Sequence, residues 1–254
     1  MHPTKPFLAL LGIGMILLGI SPASSAQATV LKISPPHLDI TTFFSGQKMS
    51  LTGSIASDQD MVIEIKGPEQ QSAFNMKGRV GPFCMYRGKL ELEKAPFLYF
   101  LLLPEGKEWP ATLSSFGVGI EQLEKKLIIR PESVSLDVVF PRFVQLKRSE
   151  HLYGELESAI RYFPSKEGMK RFETEFFFPS STVPGEYRIQ SRVIHDGKVE
   201  ETALQSFKVE EVGFIKTVRE LAYERGLLYG IMCVLIALFV GTVIGLVFRG
   251  GGAH

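Results

Sequence analysis

Pro184-Gly-Glu-Tyr-Arg-Ile-Gln-Ser-Arg-Val-Ile194, the turn His195-Asp-Gly-Lys198 and the run Val199–Val209 form the stretch on which the fold is read. Asp-Gly between two strand-like runs is hairpin chemistry, because glycine accepts the positive φ that a two-residue turn requires. The stretch therefore predicts antiparallel strands over Tyr187–Ile194 and Val199–Val209. Pro184-Gly185 marks the point where the chain enters the first of them. Just upstream, Phe172 to Phe176 alternates aromatic and polar positions, which predicts a further strand.

Working toward the N-terminus, the same period recurs. Leu38, Ile40 and Thr42 alternate with polar residues, as do Met49, Leu51 and Gly53, then Met61, Ile63 and Ile65. Breaks fall at Ser45-Gly46, Ser57-Asp58 and Gly67-Pro68, a spacing of about ten residues that suits a sandwich. Leu90 and Leu92 alternate with charge in Lys89–Glu93 and predict a half-exposed strand. Pro-Gly-x-Tyr leading into an alternating strand is similar to immunoglobulin-like sandwiches. The expected fold is mainly β: an immunoglobulin-like β-sandwich-type extracytoplasmic body over residues 29–211, as one unit or two small ones.

A helical insert is expected at about 111–155. Phe116, Ile120, Leu123 and Leu127 fall at helical spacing within Ser114–Leu127, with Pro131 as a stop. Pro141 is placed to open a second helix over Arg142–Glu150. Leu152–Phe163 fits helix or strand equally.

Both ends are apolar. Lys5, the stretch Phe7–Ile20 and the small residues Ala23–Ala28 make the three parts of a secretory signal, with cleavage expected after 26 or 28. At the other end Leu227–Phe248 is uncharged, and its 22 residues would extend about 33 Å as a helix, against a hydrocarbon core of about 30 Å. A transmembrane helix is expected at 227–248, preceded by an amphipathic helix at 212–226 with Phe214, Ile215, Val218 and Leu221 on one stripe. Flanking charge mildly favours the opposite orientation. A signal peptide that has already exported a large domain outvotes it, which places the body in the periplasm and tail 249–254 in the cytoplasm. Gly241-Thr-Val-Ile-Gly245 is a small-xxx-small pattern suited to close helix contact, in a homodimer or with a larger membrane partner.

Outside the ends, charge is nearly balanced, since every acidic residue and every basic one except Lys5 and Arg249 lies in 27–226. That balance argues against a nucleic-acid partner. Cys84 lies in the body and Cys233 in the apolar run, which argues against an intramolecular disulfide. The segment Phe83-Cys84-Met85-Tyr86 follows the turn Gly81-Pro82 and reads either as a strand fed by a turn or as an apolar recognition loop. Cys84 and Met85 could alternatively handle a soft metal or redox chemistry, although two neighbours supply few ligands. His37, His151 and His195 show no metal-ligand spacing, and no nucleophile, zinc, Walker or dinucleotide motif occurs. No catalytic activity and no cofactor are expected.

Lys77-Gly-Arg-Val-Gly-Pro82, the region from Leu152-Tyr153 to Phe178-Pro179, and Val183-Pro-Gly-Glu-Tyr187 onward to Leu228-Tyr229-Gly230 resemble a family of alphaproteobacterial single-pass transmembrane proteins. The resemblance implies a tryptophan where this chain has Cys84, a departure that leaves that position without a shared role. It also implies a gene lying near those for sulfite-exporter-type permeases. An inner-membrane accessory protein, pairing with such a permease or with itself, is the function expected from it.

Overall fold

The computed structural model describes residues 31–80, 83–106, 109, 113–165 and 168–249. The predicted signal peptide at 1–28 and all of the predicted tail beyond Arg249 lie outside the described residues. Short strands β1 (Lys32–Ser34) and β2 (Leu38–Ile40) lead into β3 (Gly46–Ala56) and β4 (Asp60–Lys66). A long hairpin, β5 (Glu69–Val80) and β6 (Phe83–Pro96), precedes β7 (Tyr99–Pro104). The insert then holds helix α1 (Ile120–Glu124), strand β8 (Ile128–Arg130) and helix α2 (Leu136–Ser149). Strands β9 (Tyr153–Pro164), β10 (Met169–Pro179), β11 (Gly185–His195) and β12 (Lys198–Glu211) complete the body, and helices α3 (Phe214–Glu224) and α4 (Gly226–Arg249) follow.

Nine strands make one mixed sheet in the order β1-β3-β10-β9-β7-β4-β11-β12-β2, with β7·β9 and β12·β2 parallel. The hairpin joins β8 in a separate three-stranded sheet. In the large sheet β10 and β11 are four strand spacings apart, about 19 Å if the sheet were flat. Yet the Phe178 ring on β10 lies 5.2 Å from Tyr187 on β11 and 5.5 Å from Phe207 on β12. The sheet is therefore folded over on itself. β1-β3-β10-β9 faces β7-β4-β11-β12-β2, with an aromatic core between them.

Sequence alternation sets which side chains enter that core. On β11, Tyr187, Ile189, Ser191 and Val193 are buried while Arg188, Gln190 and Arg192 lie on the other face. Tyr187 Oη donates to the Val183 carbonyl at 3.0 Å and the ring stacks on Phe207, which pins the β10–β11 corner. Gly67 packs beneath the same ring, where a Cβ would come within 2.9 Å of Tyr187 and 3.0 Å of the Leu98 nitrogen.

β7 follows a different rule. Tyr-Phe-Leu-Leu-Leu at 99–103 is continuously apolar, and every residue of the strand is buried. Such a run belongs to a strand covered on both faces. One face of β7 joins the sandwich core and the other lies beneath the insert.

The insert differs from its expected form. Over Ser114–Leu127 the chain makes a 3₁₀ turn at Ser114–Phe116 and only the short α1, because Gly117 and Gly119 take φ of 69° and 106° between them. Pro141 does not open the second helix. Helix α2 starts at Leu136 with Ser135 in an extended N-cap conformation and carries Pro141 inside. The ambiguous Leu152–Phe163 is strand, as β9. On α2, Phe143 meets Tyr153 at 5.7 Å and Phe74 of the hairpin at 6.1 Å, so the helix wedges the hairpin against the sandwich.

Candidate functional site

Three regions are candidate sites: the membrane-length helix with its approach, the long hairpin, and a groove on the outer face of β4 and β11. Helix α4 provides a window over Gly226–Phe248 with a mean hydropathy of 2.9 and nothing buried against the body. Gly241 and Gly245 both face open space, as a Cβ on either would meet nothing within 4 Å. Helix α3 ends at Glu224 and α4 begins at Gly226, so Arg225 alone separates them. None of the α3 side chains is buried, and Phe214 and Tyr223 are 71% and 86% exposed. An ion pair of 2.6 Å from Arg219 to Glu211 ties α3 to the end of β12.

On the hairpin, backbone pairing runs from Glu69↔Pro96 to Val80↔Phe83, so Phe83–Tyr86, readable from sequence as a turn-fed strand or as a recognition loop, is the start of strand β6. Met85 is exposed. The side chains of Phe83, Cys84 and Tyr86 lie outside the described residues. Among the described residues, no three of His, Cys, Asp and Glu gather as a metal site.

The groove was not read from the sequence. Cross-strand pairing puts Glu64 opposite Gln190 and Lys66 opposite Arg188, while Gln190 also faces Leu204 on β12. Directly opposed residues share a face, so these five side chains form one patch on the outside of the sandwich. Lys94 and Pro96 of β6, Leu123 at the end of α1 and the link Lys125–Ile128 into β8 form the opposite wall. The cavity between them is about 700 Å³, within the size range of small-molecule sites.

Glu64 lies at the base of this groove and is 1% exposed. A carboxylate that deep needs partners, and it has three. Lys66 Nζ is 2.7 Å away, Arg192 lies at 3.4 Å, and Tyr99 Oη donates at 2.7 Å. The same Tyr99 oxygen accepts from Gly119 N–H at 2.9 Å, joining the insert to the sheet. Burial first, then the Glu64 charge, pushes the Tyr99 hydroxyl far above the ordinary phenol range, so it stays protonated and donating. On the walls, Lys94, Lys126 and Arg188 pair with no carboxylate among the described residues. Lys94 also holds φ at 61°, a left-handed conformation uncommon for a side chain of its kind.

The groove was hard to foresee because its members come from β4, β6, the α1–β8 link, β11 and β12. One local signal did exist: Glu64 interrupts the apolar run Met61–Ile65 inside strand β4.

The sequence matches, over residues 28–250, the family described as "Putative transmembrane protein (Alph_Pro_TM)". The chain belongs to that family of alphaproteobacterial transmembrane proteins. No curated protein matches it. Among solved structures it is similar to a chain from "Structural basis of T cell specificity and activation by the bacterial superantigen toxic shock syndrome toxin-1". Identity there is 6%, coverage is 72% of this chain and 99% of that one, and the TM-score is 0.24, too slight a likeness to bear on function.

Proposed function

We propose that this protein spans the bacterial inner membrane once and holds its β body on the periplasmic side as an accessory to an integral membrane partner. The observation carrying the proposal is the junction of α3 and α4. A single residue, Arg225, separates an amphipathic helix from a membrane-length one, which leaves no slack for the body to stand away from the bilayer. An amphipathic helix with Phe214, Val218 and Leu221 on one face and none of its side chains buried suits the interfacial plane. The predicted signal peptide supports the periplasmic side.

The body reads as an immunoglobulin-like sandwich. Supporting this are the two facing half-sheets, the parallel β2·β12 pair, and the Tyr187 hydroxyl bonded back to the chain four residues upstream. Such a domain commonly presents surfaces for binding, and no catalytic constellation was read from the sequence. Gly241 and Gly245 leave a bare strip on α4 against which a second helix could approach closely. A sulfite-exporter-type permease is the partner that the family resemblance suggests.

The test is photo-crosslinking from α4 in native membranes, with a benzophenone amino acid replacing Leu238, one turn before Gly241 on the same side of the helix, in the full chain. A discrete adduct to a different membrane protein, lost when Gly241→Leu and Gly245→Leu are combined, is the expected result. Adducts to lipid alone would overturn the reading. An adduct of the chain with itself would replace the accessory role by a homodimer.

A further inference from the structure

We infer that the groove between the outer face of β4/β11 and the insert is a binding site for an amphiphilic anion: a phosphate-class head group attached to an apolar body. Lys66, Lys94, Lys125, Lys126 and Arg188 line it against only two carboxylates, Glu64 and Glu69. Glu64 is already engaged by Lys66, Arg192 and Tyr99. An arriving anion therefore meets Lys94, Lys126 and Arg188, unpaired with carboxylates among the described residues, with Glu64 engaged and the exposed Glu69 the remaining negative charge in the lining. Lys94, Lys126 and Arg188 come from three different segments and converge on one concavity. A solvated lysine surface would instead spread its charges apart, since like charges brought together repel unless something neutralises them.

Apolar lining supplies the second half of the argument. Leu204 is 67% exposed and Ile128 is 38% exposed at the groove, alongside Pro96, Leu123 and Leu127. A naked inorganic anion would gain nothing from that surface, whereas a hydrocarbon or aromatic body would remove it from water. Cation-lined and apolar walls facing one cavity of about 700 Å³ match a molecule with both characters.

Two sources carry this chemistry, a soluble amphiphile or a lipid of the adjacent leaflet. Arg188 is three residues beyond Gly185, at the end of the sheet where β12 turns toward α3, a distance of about 10 Å along the strand. The site itself does not depend on the anchoring proposal. Only the lipid source does.

The test is titration calorimetry on the full chain in phosphatidylcholine nanodiscs, with hexyl phosphate as probe and inorganic phosphate and hexanol as comparisons. Hexyl phosphate is expected to bind saturably at one site, more tightly than either comparison, and more weakly as salt rises. Combining Lys126→Glu with Arg188→Glu should weaken it by about tenfold per cation reversed, whereas Lys198→Glu on the distant hairpin turn should leave it unchanged. Leu204→Ser provides a second variant at an exposed position, expected to weaken hexyl phosphate but not inorganic phosphate. Absence of saturable binding, or binding indifferent to both groove variants, would overturn the proposal. Repeating the titration in phosphatidylglycerol discs separates the sources: a lipid ligand competes and lowers the apparent affinity, and a soluble one does not.

Discussion

Replacing Tyr99 by phenylalanine removes one oxygen atom and should loosen the insert from the sandwich. Tyr99 is fully buried, donates to Glu64 at 2.7 Å and accepts from Gly119 N–H at 2.9 Å. A hydrogen bond to a charged group contributes about 1.5–3 kcal/mol, and a buried N–H left without an acceptor costs about 1–3 kcal/mol. Glu64 keeps Lys66 at 2.7 Å, so the lower half of each range applies, and the total is about 3 kcal/mol. For a body of this size that converts to a drop in Tm of about 6–12 °C. Tyr153→Phe is the matched comparison, because Tyr153 is equally buried but makes a single bond, to the Pro96 carbonyl at 2.7 Å. Its loss should be about 1 kcal/mol, or about 2–4 °C. Thermal melts of the full chain in detergent, followed by circular dichroism, read both variants. Hydrogen exchange should show protection lost across 113–124 only in Tyr99→Phe. A melting temperature no lower than that of Tyr153→Phe would refute the claim that this hydroxyl couples the two layers.

Gly67→Ala should destabilise by about 1–3 kcal/mol, because the new Cβ meets the Tyr187 ring and the Leu98 backbone, neither of which can swing aside; a denaturant midpoint equal to that of the native chain would contradict this. Tyr187→Phe deletes the bond to Val183 and should cost about 1 kcal/mol with the ring packing intact, read in the same melts. Lys147 carries a pH signature. Burial holds its pKa below the ordinary lysine value, opposed by Glu150. The unfolded chain therefore keeps a proton that the fold does not between that lowered value and about 10.4, so this penalty is full below the window and fades as pH rises through it. The buried tyrosines, whose pKa values are raised, act in the opposite sense above pH 10. The readable quantity is consequently a difference: the stability of Lys147→Met relative to the native chain should decline as pH climbs toward 10.4, and a flat difference would exclude the effect.

How much of this was legible depended on whether the signal was local. The β11–β12 hairpin was visible because Asp196-Gly197 and the alternation around it are properties of neighbouring residues. Strand β7 fell within the stretch up to Pro104 that reads as mostly strand, but its burial on both faces was not legible, because only the insert creates the second covered face. The helical period over Ser114–Leu127 was real in its apolar residues, yet Gly117 and Gly119 turned it into a looped cover instead of one helix. Pro141 was misjudged because packing of Phe140, Phe143 and Val144 holds the helix together through the missing N–H. Candidate sites followed the same division. The proposal for Gly241 and Gly245 rests on spacing alone, whereas the groove needed five separate segments brought together by the fold.

Protease treatment of right-side-out spheroplasts, compared with inverted membrane vesicles, tests the central claim of a single span with an external body. The account predicts that the body is digested in spheroplasts, leaving a small fragment that contains Gly226–Phe248, and is protected in inverted vesicles. Protection in spheroplasts with digestion in inverted vesicles, or release of the intact chain from membranes by alkaline carbonate, would contradict it.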